Sequence, residues 1–383
     1  MTVDIPAIRQ QARSALIFAQ AQVRRLIERH PGYYPLYTDA GRWMHSKPAW
    51  THWCDGFLPG MMWIFLESQT ADDPAYWLNK AYAYSRQLEP RKEDREVHDL
   101  GFIFYHGSYK RWYDDSVRAG RADASLNNVV IRAGQVLAMR FKPAGNYLRS
   151  FIGDESLFID IMMNVPIIFY AAKQTGDASL LDKAMRHCLT TRRTLVRGDG
   201  STSHEGIFDT ATGQFIRQST KQGYRDDSCW SRGLAWSLYG FTTCFQLTGD
   251  SRFLQTAELN AQFYLDHAPP GGVPPWDYDA PADGRLSRTQ PDSSAAAIFA
   301  SGLFDLSDAT SKFNPTRSAA YRDAAFNILA TLLKPPYLAE GDFDWEGILK
   351  RGVYHIHKNL GIDESVMWGE FFFVEALAKS LVH

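Results

Sequence analysis

Six apolar stretches recur along this chain, each led by an acidic residue, and no other feature restricts the fold as strongly. Asp55 precedes GFLPGMMWIFLES, Asp99 precedes LGFIFYHGSY, Asp160 precedes IMMNVPIIFYAAK, Asp227 precedes SCWSRGLAWSLYGFTTCF, Asp292 precedes SSAAAIFASGLFDL, and Glu364 precedes SVMWGEFFFVEALAKSL. The leading acids stand 44, 61, 67, 65 and 72 residues apart. Each stretch is apolar enough to be a helix buried nearly all round, and self-similarity at such an interval marks a repeat architecture. Amphipathic stretches such as ASLLDKAMRHCLTTRRTL and SRFLQTAELNAQFYLDHA alternate with them. Thr175-Gly176-Asp177 and Thr248-Gly249-Asp250 join the two kinds, with Gly suited to a left-handed helix end and Asp to capping the next helix. Asp72-Asp73-Pro74 does the same before AYWLNKAYAYSRQL, where Pro suits a first helical turn. A hairpin of this kind cannot bury its apolar face alone, so six pack side by side and closure hides both ends. The pattern predicts a single all-α toroid of six helical hairpins spanning residues 1–383, with the six acids at one end, where a pocket forms.

That reading absorbs two oddities of composition. At about 150 residues per domain, 383 residues suggest two or three domains, but six hairpins use the same length in one ring. Aromatic residues make up 14% of the chain, with 11 Trp and 18 Tyr, enough to crowd six inner helices and still line a groove where sugar rings stack. Charge is balanced at 41 Lys+Arg against 43 Asp+Glu, a formal net charge of −2, which removes the basis for non-specific binding to nucleic acid or an anionic membrane. No run of about 18 apolar residues predicts a membrane-spanning helix. The N-terminal sequence has no signal-peptide pattern, so the expectation is a mature chain that begins at or near Met1 and resides in the cytoplasm. The scattered Cys54, Cys188, Cys229 and Cys244 form no CxxC pair and read as small apolar residues in a reduced protein. His267 to Asp292 reads as a structured loop carrying Trp276 and Tyr278, and Gly206-Ile207-Phe208 to Gly213-Gln214-Phe215 as a small hairpin on the pocket face.

Six acids at one mouth cannot all do chemistry, and the ordinary role for any one of them is a helix N-cap. Asp99, beside His98, and Asp160, inside Phe158-Ile159-Asp160-Ile161-Met162-Met163, stand apart. A carboxyl in apolar surroundings is costly to ionise, so its pKa rises towards that of a general acid. Pro166 belongs in a first helical turn, which puts Asp160 at or just before a helix start, where the dipole opposes that rise; a second carboxylate, Asp99 from the adjacent hairpin, restores it. Arg232 and Trp236, four apart on one helix face, suit a sugar carboxylate and the apolar face of its ring, while the alternative for Arg232 is an internal ion pair with a neighbouring acid. Gly233 and Gly240 permit close helix packing. Trp53 is a second stacking platform or ordinary core, and His204 a donor to a hydroxyl or a solvated side chain. Arg351, His355, His357 and Lys358 form a basic cluster, either a solvated loop or a subsite for an anionic leaving group. No carboxylate–histidine spacing typical of a metal helix occurs, nor GxGxxG, GxxxxGK[ST] or GxSxG, so no metal and no cofactor is expected.

HDLGF around Asp99, FIDIMMN around Asp160 and QGYRDDSCWSRGLAW around Arg232 resemble, in order and over nearly the whole chain, the unsaturated glucuronyl hydrolases of glycoside hydrolase family 88. The resemblance implies an (α/α)6 barrel. It also implies a substrate left by a polysaccharide lyase, an acidic oligosaccharide whose non-reducing end is a 4-deoxy uronic acid with a C4=C5 double bond, and a reaction that begins by hydrating that vinyl ether. Asp160 matches the acid/base and Asp99 the second essential acid, which would hold sugar hydroxyls and keep Asp160 protonated. Gln222, Arg232 and His204 match the polar contacts, and Trp53, Trp230 and Trp236 the aromatic walls. Ser231 stands where an alanine is usual. The runner-up is the unsaturated rhamnogalacturonyl hydrolases on the same fold, acting on pectin fragments; Arg232 within DDSCWSRGLAW and Asp99 after His98 favour the glucuronyl branch. A sugar epimerase on this barrel would need two histidines as acid and base, where only His204 has an evident pocket position, and a non-catalytic sugar-binding toroid would need neither Asp99 nor Asp160. The basic cluster is compatible with a sulfated or acidic neighbouring sugar, whereas the parent polysaccharide and the oligomeric state leave no mark in the residues.

Overall fold

A computed structural model describes residues 4–44, 51–284 and 286–383. The helices alternate between an outer and an inner layer. Outer α1 (Ile5–Arg29) leads to inner α2 (Phe57–Glu67), then outer α3 (Pro74–Gln87). The second inner segment is a wide π-helical turn, Gly101–Gly107, continued by α4 (Tyr109–Arg118), with outer α5 (Ala124–Ala138) behind it. The third is split by Pro166 into α6 (Ile161–Asn164) and α7 (Pro166–Thr175), followed by outer α8 (Ala178–Leu195). Inner α9 (Ser231–Thr248), outer α10 (Ser251–His267), inner α11 (Ser293–Thr310), outer α12 (Pro315–Leu332) and inner α13 (Met367–Ser380) complete the series. Each inner segment packs on the next, and α13 packs on α2, so the inner layer is a closed ring. The fold is the expected all-α (α/α)6 barrel.

The ring closes in a way the repeat did not specify. The chain starts with an outer helix and ends with an inner one, so α1 packs against α13 and supplies the outer member of the sixth pair. Arg9 Nε donates to the Ser380 carbonyl, 3.1 Å away, across that seam. Glu364 joins the two ends as well, accepting from Thr38 Oγ1 and from the backbone N–H groups of Ala40 and Gly41.

Capping separates the two layers. All six outer helices start on an Asp or Asn whose side chain accepts from a first-turn N–H: Asp4, Asp73, Asp123, Asp177, Asp250 and Asn314. Gly176 and Gly249 close the preceding inner helices at φ 71°, as the Thr-Gly-Asp turns predict. Among the six acids of the repeat, only Asp292 is such a cap, accepting from Ser294 and Ala295 N–H. Asp160 already has helical φ and ψ, and its side chain makes no capping bond. Asp227 is exposed beside Arg225, three residues before a helix that starts from Trp230. The expectation that the acids are mostly caps is therefore corrected: side-chain caps start every outer helix, but of the inner ones only α11, which begins on Asp292.

Close backbone approach lets six inner segments meet around one axis. A Cβ on Gly101 would stand 2.4 Å from Asn164 Cα, and one on Gly240 would stand 2.5 Å from the Met162 carbonyl group. The loops at the N-terminal ends of the inner helices carry small antiparallel sheets. Ser156–Phe158, Glu205–Phe208 and Phe215–Ser219 form one, including the expected hairpin, and Gly352–His355 pairs with Leu360–Glu364 in another. The 267–292 loop is anchored by buried Trp276, whose indole donates to the Ser287 carbonyl. The four cysteines are buried and free. Among the described residues no helix is long and apolar enough to cross a membrane.

Candidate active site

A cavity of about 500 Å³ opens at the N-terminal ends of the inner helices. Asp99 reaches it from the turn before the π-helical segment, Asp160 from the start of α6, and Arg232 from the first turn of α9. Trp53, Phe151, Phe158 and Tyr354 supply aromatic walls, and Lys221, Gln222, His357 and Lys358 a polar side. Of the six leading acids only Asp99 and Asp160 line it.

Both carboxyls are shifted upward and to different extents. Burial pushes Asp160 up to about 6, with the Arg232 guanidinium opposing. Burial, reinforced by the charge of Asp160, pushes Asp99 up to about 8. The upward shift is larger at Asp99, where the Asp160 charge reinforces burial, than at Asp160, where the Arg232 charge opposes it.

Each carboxyl also meets a neutral imidazole. His204 Nδ1 accepts the Lys221 N–H at 3.0 Å, so its proton sits on Nε2, 3.6 Å from Asp160 Oδ2. His98 Nδ1 accepts the Phe151 N–H at 3.1 Å, so its Nε2–H faces Asp99 Oδ1 at 3.4 Å. Burial is the main cause holding both rings well below the usual histidine range, which keeps them neutral. A loop N–H thereby sets each tautomer, and the tautomer presents a donor to each carboxyl.

Arg232 lines the cavity, and of the two roles weighed for it the structure shows the internal ion pair. Its guanidinium lies between the rings of Trp230 and Trp368, 4.3 and 4.9 Å from their centroids. Nη2 donates to Gln222 Oε1 at 2.6 Å and to the Tyr354 carbonyl at 2.9 Å. Nη1 donates to the Val353 carbonyl and lies 3.5 Å from Asp292 Oδ2. The terminal N–H groups are thus committed to the protein, and Gln222, whose oxygen accepts from Arg232, also lines the cavity.

The tryptophans divide. Trp53 lines the cavity, its ring leaning on Trp368 at 4.9 Å. Trp230 does not: it is buried beneath Arg232 and against His204. Trp236 is fully buried between Phe102 and Phe372. Four residues along a helix is about 6 Å of rise, which carries Trp236 below the floor that Arg232 forms. The basic cluster divides too. His355, His357 and Lys358 line the cavity, whereas Arg351 pairs with Asp363 outside it.

Phe151, Phe158, Tyr354 and Lys221 line the cavity without having been singled out from the residues. Lys221 neighbours Gln222 and could have been found by adjacency; the three aromatics sit in loops or short strands with no helical period to flag them.

Comparison with known proteins agrees with this architecture. Residues 27–268 match the Glycosyl Hydrolase Family 88 model. The unsaturated glucuronyl hydrolase of Bacillus sp. (strain GL1) is 32% identical over 335 residues, 86% of each chain. An unsaturated glucuronyl hydrolase specific for heparin superposes with a TM-score of 0.86 at 28% identity, covering 97% of both chains. The structure of a UGL variant with dGlcA-Glc-Rha-Glc gives a TM-score of 0.85 at 29% identity, over 96% of this chain and 95% of that one. In fold and sequence alike, this chain belongs to Glycosyl Hydrolase Family 88 and is a glycoside hydrolase.

Proposed function

We propose that the whole ring acts as one catalytic unit that removes a 4-deoxy, C4=C5 unsaturated uronic acid from the non-reducing end of lyase-generated acidic oligosaccharides, with Asp160 as acid/base. Asp160 gives its proton to C4, and the cation that develops at C5 is stabilised by the ring oxygen. The Asp160 carboxylate then takes a proton from the water that adds at C5. The resulting hemiketal opens at its C5–O5 bond, and the hemiacetal left at C1 expels the leaving sugar as an alcohol. One water is consumed, and no group displaces the leaving sugar directly at the anomeric carbon, so the inverting and retaining carboxylate geometries do not apply.

The observation that carries this reading is the pair of carboxyls at about 6 and about 8, lining one cavity and each facing a neutral imidazole N–H. Separated pKa values in a pair of carboxyls divide acid/base work from hydrogen-bond donation. Asp160, near 6, can give and retake a proton. Asp99, held protonated, donates to a sugar hydroxyl, while His204 and His98 fix which oxygen of each carboxyl faces the substrate. Gln222 and Lys221 face the substrate carboxylate, Trp53 takes the apolar face of its ring, and His357 and Lys358 stand where an anionic leaving sugar would emerge. Family relatives are named for glucuronyl substrates, which disfavours the pectin-directed alternative.

The C4=C5 bond is conjugated to the carboxylate and absorbs in the ultraviolet, so turnover of an unsaturated disaccharide bleaches that absorbance. The acid step requires protonated Asp160. Because burial raises its pKa, the active form is present below about pH 6 and is lost as pH rises through it. Accordingly kcat/KM should fall about tenfold per pH unit above that limb. A profile flat from pH 5 to 8 contradicts the assignment. For the aromatics, Trp53→Ala should raise KM about three- to tenfold. Trp236→Ala should leave KM unchanged and cost about 3–5 kcal/mol of stability, read by denaturant unfolding.

A further inference from the structure

Glu205 is fully buried and next in the chain to His204, yet it does not line the cavity. It opens the middle strand of its sheet, paired with Phe158 on one side and Ser219 on the other. A buried carboxyl is costly unless its oxygens find partners. The two oxygens of Glu205 face different parts of the active-site wall.

Oε1 accepts from Ser156 Oγ at 2.5 Å, and Ser156 Oγ accepts in turn from Ser150 Oγ at 2.7 Å. With its proton given to Ser156, the Ser150 hydroxyl accepts the Ile152 N–H at 3.1 Å. This chain of buried hydroxyls has one direction, because a carboxylate oxygen can only accept. It closes the 150–152 stretch around Phe151, whose N–H is the donor to His98 Nδ1. Arg140 holds the stretch too, but through the Arg149 and Ser150 carbonyls, ahead of Phe151. Oε2 has no hydrogen-bond partner among the described residues and lies 3.5 Å from Lys221 Nζ. Lys221 is the residue whose N–H donates to His204 Nδ1. The two backbone donors that set the His98 and His204 tautomers thus belong to segments tied to the same carboxylate.

We infer that Glu205 is a positioning residue for the acid pair: through Ser156 and Ser150 on one branch, and Lys221 on the other, it holds both N–H groups that turn the imidazole donors of His98 and His204 onto Asp99 and Asp160. This deepens the proposed function, in which those two carboxyls do the chemistry. Glu205 itself touches no substrate, so its replacement acts on kcat rather than on KM.

Glu205→Gln keeps the volume and one oxygen, but in either orientation its N–H₂ meets one branch where an acceptor is needed. It should lower kcat on an unsaturated disaccharide about tenfold while moving KM less than about twofold, since small misplacements of catalytic groups act on the chemical step. Nitrogen-15 spectra of labelled histidines supply a readout that a merely structural role would not move. Both rings should show the Nε2–H tautomer in the wild type, with His98→Gln and His204→Gln proteins assigning the signals. Ser156→Ala should disturb the His98 signals alone and Lys221→Met the His204 signals alone, while Glu205→Gln disturbs at least one pair. Wild-type kcat, unmoved histidine signals or a change confined to the unfolding midpoint in Glu205→Gln would overturn the inference and leave the functional reading standing. If Glu205→Gln does not fold, unmoved signals in both single-branch variants overturn it. Absence of wild-type turnover on the disaccharide overturns the functional reading and the role of Glu205 with it.

Discussion

Asp160→Asn should lower kcat/KM by about 10³-fold or more with the fold and thermal unfolding intact. Positioned acid–base catalysis contributes roughly 10²–10⁴, and here one group is asked to act twice, as acid at C4 and as base towards water. The substitution is nearly isosteric, and the pocket already holds the group against burial, so stability should rise slightly if it changes at all. An amide at 160 keeps the shape of the carboxyl but has no acidic proton to give. Disaccharide binding should persist, which calorimetry on the variant can check. Undiminished turnover by Asp160→Asn would reject the mechanism.

The second large effect is expected at Arg232, and in stability before activity. Arg232→Met leaves Asp292 fully buried without its cation, and removal of one partner from a buried pair costs about 3–5 kcal/mol. It also removes the bonds from the guanidinium to the Val353 and Tyr354 carbonyls, just before His355 to Lys358. The midpoint of denaturant unfolding should fall by that amount, and Asp292→Asn on the Met background should recover part of it. Because the Arg232 charge pulls the Asp160 pKa down, Arg232→Lys, which keeps a charge but not the planar fork, should retain more of the wild-type pH limb than Arg232→Met, whose limb moves to higher pH. An arginine serving only to hold the substrate carboxylate would raise KM and leave unfolding unchanged.

Local chemistry carried much of the fold. The Thr-Gly-Asp turns predict both the left-handed ends and the caps that follow, because those preferences are settled within a few residues of backbone. Asp99 and Asp160 stood out because an acid within or before a long apolar run has few inexpensive places to be, and both line the cavity. What reading along the chain missed came from depth and from distance. Trp230 and Trp236 belong to the right segment, but the rise along α9 places one beneath Arg232 and the other below the floor. The ion-pair partner of Arg232 lies 60 residues away at the next inner helix, and Phe151 reaches the cavity from a loop and Tyr354 from a short strand, neither of which helical periodicity records.

The residues alone thus determined the number of hairpins, the direction of their helices and the end at which the acids gather, since apolar period, capping and turn chemistry act locally. Only the assembled ring decided which acids remain free, which of the two keeps its proton and which arginine bonds are already taken. Those outcomes depend on burial and on charges brought together from separate hairpins, and neither exists until α1 closes against α13.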